Sequence, residues 1–184
     1  MKLIKYFSIF IFLSSHCFYA QNKLRNKINI ILESNYNEKQ KSVKLQNLLI
    51  QYKDQSSSLE TGILYNELAR IQFKLSKNDY AINLLKKSIL ILKKYKNSDL
   101  YELNRARNNL AWIYMTEERV NEQYTLLTEI IKDKGKDDNT FNAIINASII
   151  ESKNGDYYYG LNKLNLLLTE KQTLEKELII RINI

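Results

Sequence analysis

Few residues in this chain could carry out covalent or metal chemistry. The single histidine and the single cysteine, His16 and Cys17, are neighbours within the first 20 residues. If those residues are removed, no Ser–His or Cys–His nucleophile remains, and no zinc site built on nitrogen or sulfur. Catalysis would then depend on carboxylates and tyrosines alone.

Two groups of carboxylates stand close together in the sequence. A hydrolase that uses paired carboxylates needs two converging groups, one of them desolvated. Neither group has the apolar neighbours that would shift a pKa, so solvated loops are the favoured interpretation. No catalytic residue, cofactor site or metal site is predicted, and a carboxylate-dependent enzyme is a minor alternative. The groups are Glu117, Glu118 and Glu122, and Asp137 with Asp138.

The first 20 residues have the composition of a secretory signal peptide. A basic start precedes an apolar run over residues 6–13, and polar sequence begins at Gln21. The run is short for a membrane span, and cleavage is expected after Ala20. Phe18 is large for a cleavage site, which leaves an uncleaved anchor as the alternative. The protein is therefore expected to be exported, either to the periplasm or to the medium.

The chain is basic and contains no proline, with a formal net charge of +8 at pH 7. A basic excess can indicate nucleic acid or an anionic membrane as a partner. Here the lysines are scattered along helical patterns, as is typical of a solvated surface. Export would also separate the chain from cytoplasmic RNA, so an RNA-binding helical repeat is another minor alternative.

The sequence is similar to itself at long spacing. NELARIQFKLSKNDYAINLL at 66–85 aligns with NNLAWIYMTEERVNEQYTLL at 108–127, an offset of 42 residues. A third copy, INASIIESKNGDYYYGLNKL at 145–164, follows after a further 37 residues. A degenerate copy precedes them at 24–52. Similarity at a nearly fixed period indicates a stacked repeat.

Each copy has the pattern of two helices joined by a turn. Apolar residues such as Leu64, Leu68 and Ile71 recur at helical spacing, and "SKND" at 76–79 is predicted to be the turn. Two helix starts carry a capping residue followed three positions later by a glutamate. These pairs are Ser57 with Glu60, and Asp99 with Glu102.

Small residues recur where the two helices of a copy should cross. We expect Ala69, Ala111 and Ser148 to mark one side of the crossing in the successive copies, and Ala81 and Gly160 the other. In the middle copy Gln123 takes the place of the small residue, so that crossing is expected to be looser or rotated.

This pattern resembles the tetratricopeptide repeat, whose motif is W-x2-L-G-x2-Y followed by A-x3-F. The resemblance implies an all-α fold, a right-handed α-solenoid of stacked antiparallel helix hairpins, in an exported protein of bacterial type. The period exceeds the 34 residues of the family, and Glu151 stands where an aromatic belongs, so another helical-hairpin solenoid stays open. The matching positions are Tyr65, Leu68, Ala69, Gln72, Ala81 and Leu85, then Arg107, Leu110, Ala111, Tyr114, Gln123 and Leu127, then Ile144, Ala147, Ser148, Glu151, Gly160 and Leu164.

The predicted organisation follows from the copies. A signal peptide at 1–20 precedes a degenerate hairpin at 21–56, and the start of a further helix lies at 175–184. The segment at 175–184 has an apolar face with no following helix to cover it. Either the protein self-associates through this face or the chain is truncated. The three repeats between are predicted at 57–98, 99–137 and 138–174.

Such arrays bind rather than catalyse, so the resemblance implies a non-enzymatic scaffold or adaptor whose partner is a protein or peptide. The alternative is the sensing portion of a longer signalling protein. Stacked hairpins bind with the first helix of each repeat. Trp112 is the strongest candidate for a binding residue on that face. It could form a binding hot spot beside Arg105, and the alternative is that it packs against the neighbouring repeat. The candidates are Asn66, Arg70, Phe73, Arg105, Asn108, Trp112, Met115, Asn142, Ile145 and Ile149.

Some tetratricopeptide domains hold a C-terminal carboxylate with a clamp of lysines, asparagines and arginine. Asn109 falls on one matching place, but the other places carry Asn66, Arg70, Asn142 and Asn146, which do not match. No carboxylate clamp is therefore predicted.

Overall fold

The computed structural model describes residues 23–52, 57–135 and 137–170, with side chains up to residue 165. Within these ranges the regular structure is helical and no strand is present, which confirms the expected all-α class of helix hairpins. The chain divides into two compact units, one ending at Ile91 and the other beginning at Leu92. None of the helices described is long and apolar enough to cross a membrane. The segments predicted at 1–20 and 175–184 lie outside the described residues.

The first unit contains four helices held by hydrogen bonds between them. The Ser42 hydroxyl accepts a bond from Gln72 Nε2 at 2.6 Å, and both side chains are buried. Ser88 Oγ donates to the main-chain carbonyl of Gly62 at 2.7 Å. A backbone carbonyl reached by a serine at this distance indicates two helices in close approach. The helices are α1 at 23–33, α2 Glu38–Gln51, α3 Leu59–Lys74 and α4 Asn78–Leu92.

The second unit contains two hairpins after a short 3-10 turn, Lys93–Tyr95. Aspartates cap the first helix of each hairpin, since Asp99 Oδ1 accepts from the backbone of Glu102 and Asp137 Oδ1 from that of Thr140. Each cap satisfies an amide that the helix leaves without a partner. The helices are α5 Leu100–Thr116, α6 Val120–Lys132, α7 Asp138–Lys153 and α8 Tyr157–Glu170.

The turns that join α3 to α4, α5 to α6 and α7 to α8 each contain a residue with positive φ. Ser76, Glu118 and Gly155 each follow a first helix with a positive φ, of 57°, 58° and 96°. In each turn the next residue donates back to a carbonyl five positions earlier, as Arg119 does to Tyr114 at 2.8 Å. The residue with positive φ itself donates to the carbonyl three positions earlier, as Glu118 does to Met115 at 3.2 Å. Together these two bonds form the Schellman motif that ends a helix. The three residues lie 42 and 37 positions apart, which are the two offsets found in the sequence.

Two predicted boundaries are wrong by a residue or more. The cap of α3 is Ser58, not Ser57, because its hydroxyl accepts from the backbone of Thr61 at 3.1 Å and also bonds the Thr61 hydroxyl at 2.9 Å. The first hairpin turn occupies 75–77 instead of 76–79, because Asn78 already begins α4.

The small residues at the predicted crossings are buried. Ala69 and Ala81 are 0% exposed, and Ala111 is 2% exposed. Between α7 and α8 the contact is direct: a Cβ on Gly160 would lie 2.8 Å from the carbonyl oxygen of Ser148. Such a distance leaves no room for a methyl group, so glycine is required there for these two helices to approach.

A buried ion cluster joins α5 to the end of α6. Arg107, in the motif position of an aromatic, donates to Asp133 at 2.6 Å and to Glu129 at 3.0 Å, and its side chain is 6% exposed. Lys96 also donates to Asp133. Burial by itself would raise the pKa of Asp133, but the bonds from Lys96 and Arg107 outweigh it and hold that pKa below its ordinary value. The cluster fixes the chain before α5 to the end of α6.

Candidate binding groove

A cavity of about 240 Å³ opens between α5 and α7 in the second unit. Helix α5 forms one wall, α7 the other, and α6 reaches the floor with a single residue. We call this cavity the amide groove, because most of its lining residues carry side-chain amides. They are Asn108, Asn109, Ala111, Trp112, Met115, Gln123, Asn139, Asn142 and Asn146.

Trp112 stands in the α5 wall because of its place on the helix. The preceding Ala111 faces the core and is 2% exposed, so the next residue turns about 100° away from it. Trp112 is 54% exposed, and Met115, three residues later on the same face, is 38% exposed. The apolar wall of the groove is therefore accessible from outside.

A second cavity of about 510 Å³ shares residues with the amide groove and has a different chemistry. Met115, Gln123 and Asn146 line both, so the two are continuous. We call the second cavity the apolar cavity, after Val120, Ile149 and Ile150 in its wall. Its other lining residues are Glu118, Lys153 and Asn154.

The groove walls are tied together at one end. Asn108 on α5 donates from Nδ2 to the main-chain carbonyl of Asn139 on α7 at 2.7 Å. Asn139 Nδ2 in turn lies 3.4 Å from the carbonyl of Tyr101. These bonds hold the two first helices in register, so that the groove is formed before a ligand enters.

The groove is electrically neutral along its lining. No charged residue lines the amide groove among the described residues, and at the apolar cavity Glu118 and Lys153 have opposite charges. Arg105 is held by Glu102, with 2.8 Å between guanidinium and carboxylate. Arg119 pairs with Glu122 at 2.7 Å and lies over the Tyr114 ring at 4.2 Å. The site therefore suits an uncharged surface.

Two solved structures have a helical fold similar to that of this chain. One contains the nearly identical TPR-like repeats of a protein described as a kinesin light chain of Podosopora anserina; it has a TM-score of 0.67 and 17% identity, and covers 85% of this chain and 79% of its own. A variant of that protein has a TM-score of 0.67 and 16% identity, covering 83% and 78%. The fold is that of a tetratricopeptide-like repeat. No protein-family model and no curated protein sequence matches the chain.

In this tetratricopeptide-like fold, four predicted residues line the amide groove. Asn108, Trp112 and Met115 come from α5 and Asn142 from α7. Ile149 lines the apolar cavity. Arg105 lies on the same helix but does not line either cavity, because its guanidinium turns to Glu102.

Two predicted binding residues are buried, and their assignment to an accessible face is wrong. Ile145 is 4% exposed because it packs with Phe141 in a small core that Leu164 of α8 covers. Asn66 is 0% exposed, because α3 is buried around most of its circumference. In the first unit, Arg70 stays exposed and donates to Glu67 at 2.8 Å, and Phe73 is half-buried.

Sequence reasoning missed Gln123 as a site residue. Its position in the motif belongs to a small residue of the second helix, and its replacement was interpreted only as a looser crossing. In the structure Gln123 lies on the floor of both cavities, 5% exposed. A long polar side chain in a motif place reserved for alanine was the signal that could have identified it.

The carboxylates considered as catalytic candidates form ion pairs or cap a helix. Glu117 and Glu122 both contact Arg119, and Asp137 caps α7. Among the described residues, no group of three or more His, Cys, Asp or Glu side chains could hold a metal ion.

Proposed function

We propose that this chain is an exported, non-enzymatic scaffold that binds a protein or peptide in the amide groove and the adjoining apolar cavity. The observation that carries the proposal is Trp112. A tryptophan that is 54% exposed on the wall of a preformed groove, beside an accessible methionine, is typical of a binding hot spot.

The electrostatics support a protein partner over nucleic acid. A nucleic-acid surface needs cations free to meet phosphates. Near the groove, Arg105 and Arg119 are both paired with carboxylates, and the amide groove itself carries no charge among its described lining residues. Neutral amides and apolar side chains match the surface of a polypeptide instead.

Export is the part of the proposal that rests on sequence alone. Residues 1–20 combine a basic start, an apolar run and a small residue at position 20. An exported repeat protein would meet partners of the periplasm or the medium.

The test compares partner capture by two variants. Protein from the exported fraction is captured on immobilised wild type, on Trp112→Ala and on the matched control Tyr158→Ala, whose ring is 88% exposed outside the groove. We expect Trp112→Ala to weaken binding of the captured partner by about 2 kcal/mol, or roughly thirtyfold, as for other hot spots. Tyr158→Ala should bind as wild type does.

Circular dichroism of both variants shows whether a loss of partner binding is caused by unfolding. Because Trp112 is half exposed, its removal should leave the helical signal and the midpoint of thermal unfolding nearly unchanged. If Trp112→Ala unfolds the protein, or binds as tightly as wild type, the groove is not the binding site.

A further inference from the structure

The net charge of this chain lies in its first unit. Residues 1–91 contain 14 lysines and arginines against 6 aspartates and glutamates, whereas residues 92–184 contain 14 of each kind. Two carboxylates of the first unit, Glu60 and Glu67, are buried and do little to offset the lysines at the surface. The first unit therefore presents a cationic surface, which attracts partners of negative charge.

An exposed stripe on α2 combines a lysine with aliphatic side chains. Lys39, Val43 and Ile50 follow one another at spacings of four and seven residues, so they lie on one side of the helix. Leu45 and Leu48 are buried on the other side. Val43 is 55% exposed and Ile50 is 73% exposed, although this side of a helix is usually polar.

The exposed side of α4 has the same composition. Lys86 and Lys87 lie one turn before Leu90, whose side chain is 67% exposed. Around the helix axis Leu90 stands between the two lysines, at about 100° per residue. The opposite side of α4 faces the core, because Ser88 is buried there and donates to the carbonyl of Gly62 on α3.

The two stripes belong to one surface of the first unit. Helices α2 and α4 are the second helices of successive hairpins, and α3 bonds both of them, through Gln72 to Ser42 and through Gly62 to Ser88. In stacked hairpins the second helices lie side by side, away from the surface that the first helices line. We call this surface the basic outer face, and its residues are Lys39, Val43, Ile50, Lys86, Lys87 and Leu90.

The lysines of the basic outer face are available to a partner. Among the described residues none of the three is in an ion pair, although Arg70 and Lys74 of α3 are. Helices α2 and α4 carry one carboxylate each: Glu38 pairs with Lys74 at 3.0 Å, and Asp79 lies in the first turn of α4. Ammonium groups therefore outnumber carboxylates on this face, so that it is complementary to an anionic surface.

The exposed aliphatic side chains select a lipid surface over other anions. Lysine can place its ammonium group among anionic headgroups while its stem and a neighbouring leucine or isoleucine enter the edge of the acyl region. Nucleic acid also offers phosphates, but it is bound mainly through arginine forks and base stacking on aromatic rings. A nucleic acid would leave Val43, Ile50 and Leu90 in water.

We propose that the basic outer face binds peripherally to a membrane surface rich in anionic lipid, with its lysines at the headgroups and its aliphatic side chains at the edge of the acyl region. The inference is independent of the proposed function, because the amide groove and the apolar cavity belong to the second unit. It adds a lipid surface to the partners of the chain, and it requires no helix that spans the membrane.

The first experiment measures co-sedimentation with vesicles. Protein from the exported fraction is mixed with vesicles of phosphatidylcholine alone, or of phosphatidylcholine with about 30% phosphatidylglycerol. We expect binding to the anionic vesicles to be at least about tenfold stronger, and to weaken when the salt concentration is raised from about 0.1 M to about 0.5 M. Equal binding to both kinds of vesicle would overturn the inference.

The second experiment tests the position of the charge. Each lysine close to an anionic surface strengthens binding about fivefold, so Lys86→Gln with Lys87→Gln should weaken binding to the anionic vesicles about thirtyfold. The matched control, Lys132→Gln with Lys134→Gln, removes the same charge from exposed residues of the second unit and should bind nearly as wild type does. If both double variants lose binding equally, net charge drives the association and the basic outer face is not the site.

Leu90→Gln separates a lipid surface from nucleic acid. Because Leu90 is exposed, this variant should keep the wild-type thermal midpoint, yet it should bind the anionic vesicles about fivefold more weakly. A labelled single-stranded RNA is titrated in parallel. If Leu90→Gln binds vesicles as wild type does, or if RNA binds more tightly than the anionic vesicles, the face recognises a polyanion and the inference is wrong.

Lys39→Gln on α2 provides a second route if the variant at Lys86 and Lys87 fails to fold, and it should weaken vesicle binding about fivefold. Failure of the proposed function has a different signature. In that case Trp112→Ala captures the exported partner as well as wild type does, while the vesicle results stand. Loss of lysine dependence with normal partner capture would remove only the further inference.

Discussion

At the scale of single residues, Glu151 shows how this chain departs from the repeat motif. It occupies an aromatic position, is 5% exposed, and accepts hydrogen bonds from Tyr124 of α6 and Lys163 of α8. Lys163 also lies over the ring of Tyr159, at 4.4 Å. A charged cluster that joins three helices thus replaces the packing of a ring.

The cluster predicts an unusual tyrosine titration. The hydrogen bond to Glu151, then burial, raises the pKa of Tyr124 to about 12. In an absorbance titration at alkaline pH, Tyr124→Phe should remove the step near pH 12. Glu151→Gln should move that step to lower pH, because it removes the negative charge that disfavours the phenolate.

The same shift has a defined effect on stability. The folded pKa lies above the ordinary tyrosine value of about 10, so the stabilisation is fully present below pH 10 and is lost as the pH rises through about 12. Circular dichroism during the titration shows whether the helices persist. Tyr158→Phe is the control, and loss of the step near pH 12 in that variant would contradict the assignment to Tyr124.

Residues on the groove could be predicted only in part. Helical spacing placed Asn108, Trp112 and Met115 on one face, because that face depends on α5 alone. It could not place Ile145, whose burial depends on α8. Nor could it identify Gln123, whose role depends on the space between three helices.

At the scale of helices and turns, two hairpins carry a strained residue. Ser76 and Glu118 adopt positive φ values that favour glycine, and only the third turn has a glycine, Gly155. The sequence marks that third turn with Gly155, inside KNGDY at 153–157. For the first turn, the predicted start at residue 76 is one residue too late, because no glycine marks the position where α3 ends.

Glu118 therefore offers a stabilising substitution. Its side chain is exposed, and a non-glycine residue in the left-handed region costs roughly 1 kcal/mol. Glycine has more backbone freedom to lose on folding, which cancels about 0.5 kcal/mol of this gain, so Glu118→Gly should raise the free energy of unfolding by roughly 0.5 kcal/mol.

Gly155→Ala is the reciprocal test of the turn geometry. A Cβ on Gly155 would meet no atom within 4 Å, so any cost comes from its φ of 96° and not from crowding. We expect a loss of roughly 1 kcal/mol in chemical denaturation. If Glu118→Gly destabilises while Gly155→Ala is neutral, the shared turn geometry is not what limits these hairpins.

At the scale of the whole chain, the self-similarity of the sequence was enough to predict the fold. The offsets of 42 and 37 residues recur as the spacing of the three turn residues with positive φ, since each repeat ends its first helix in the same way. No single position of the motif was needed. The repeat pattern predicted the fold although Arg107, Gln123 and Glu151 depart from the motif. Hairpin packing tolerates these residues because Arg107 and Glu151 have polar partners and Gln123 lines a groove.

The remaining prediction concerns processing of the N-terminal segment. If residues 1–20 are removed on export, the exported protein begins at Gln21 and contains neither His16 nor Cys17. N-terminal sequencing of the exported protein should then read Gln21, Asn22 and Lys23, its mass should fall below that of the precursor by the mass of residues 1–20, and a thiol reagent should find no Cys17 to label. The unexported precursor is the control, since Cys17 should label it. Ala20→Phe places a large residue at the expected cleavage site and should leave the precursor uncut. An exported protein that retains one reactive thiol would show that the segment stays attached, and export would then proceed by an anchor.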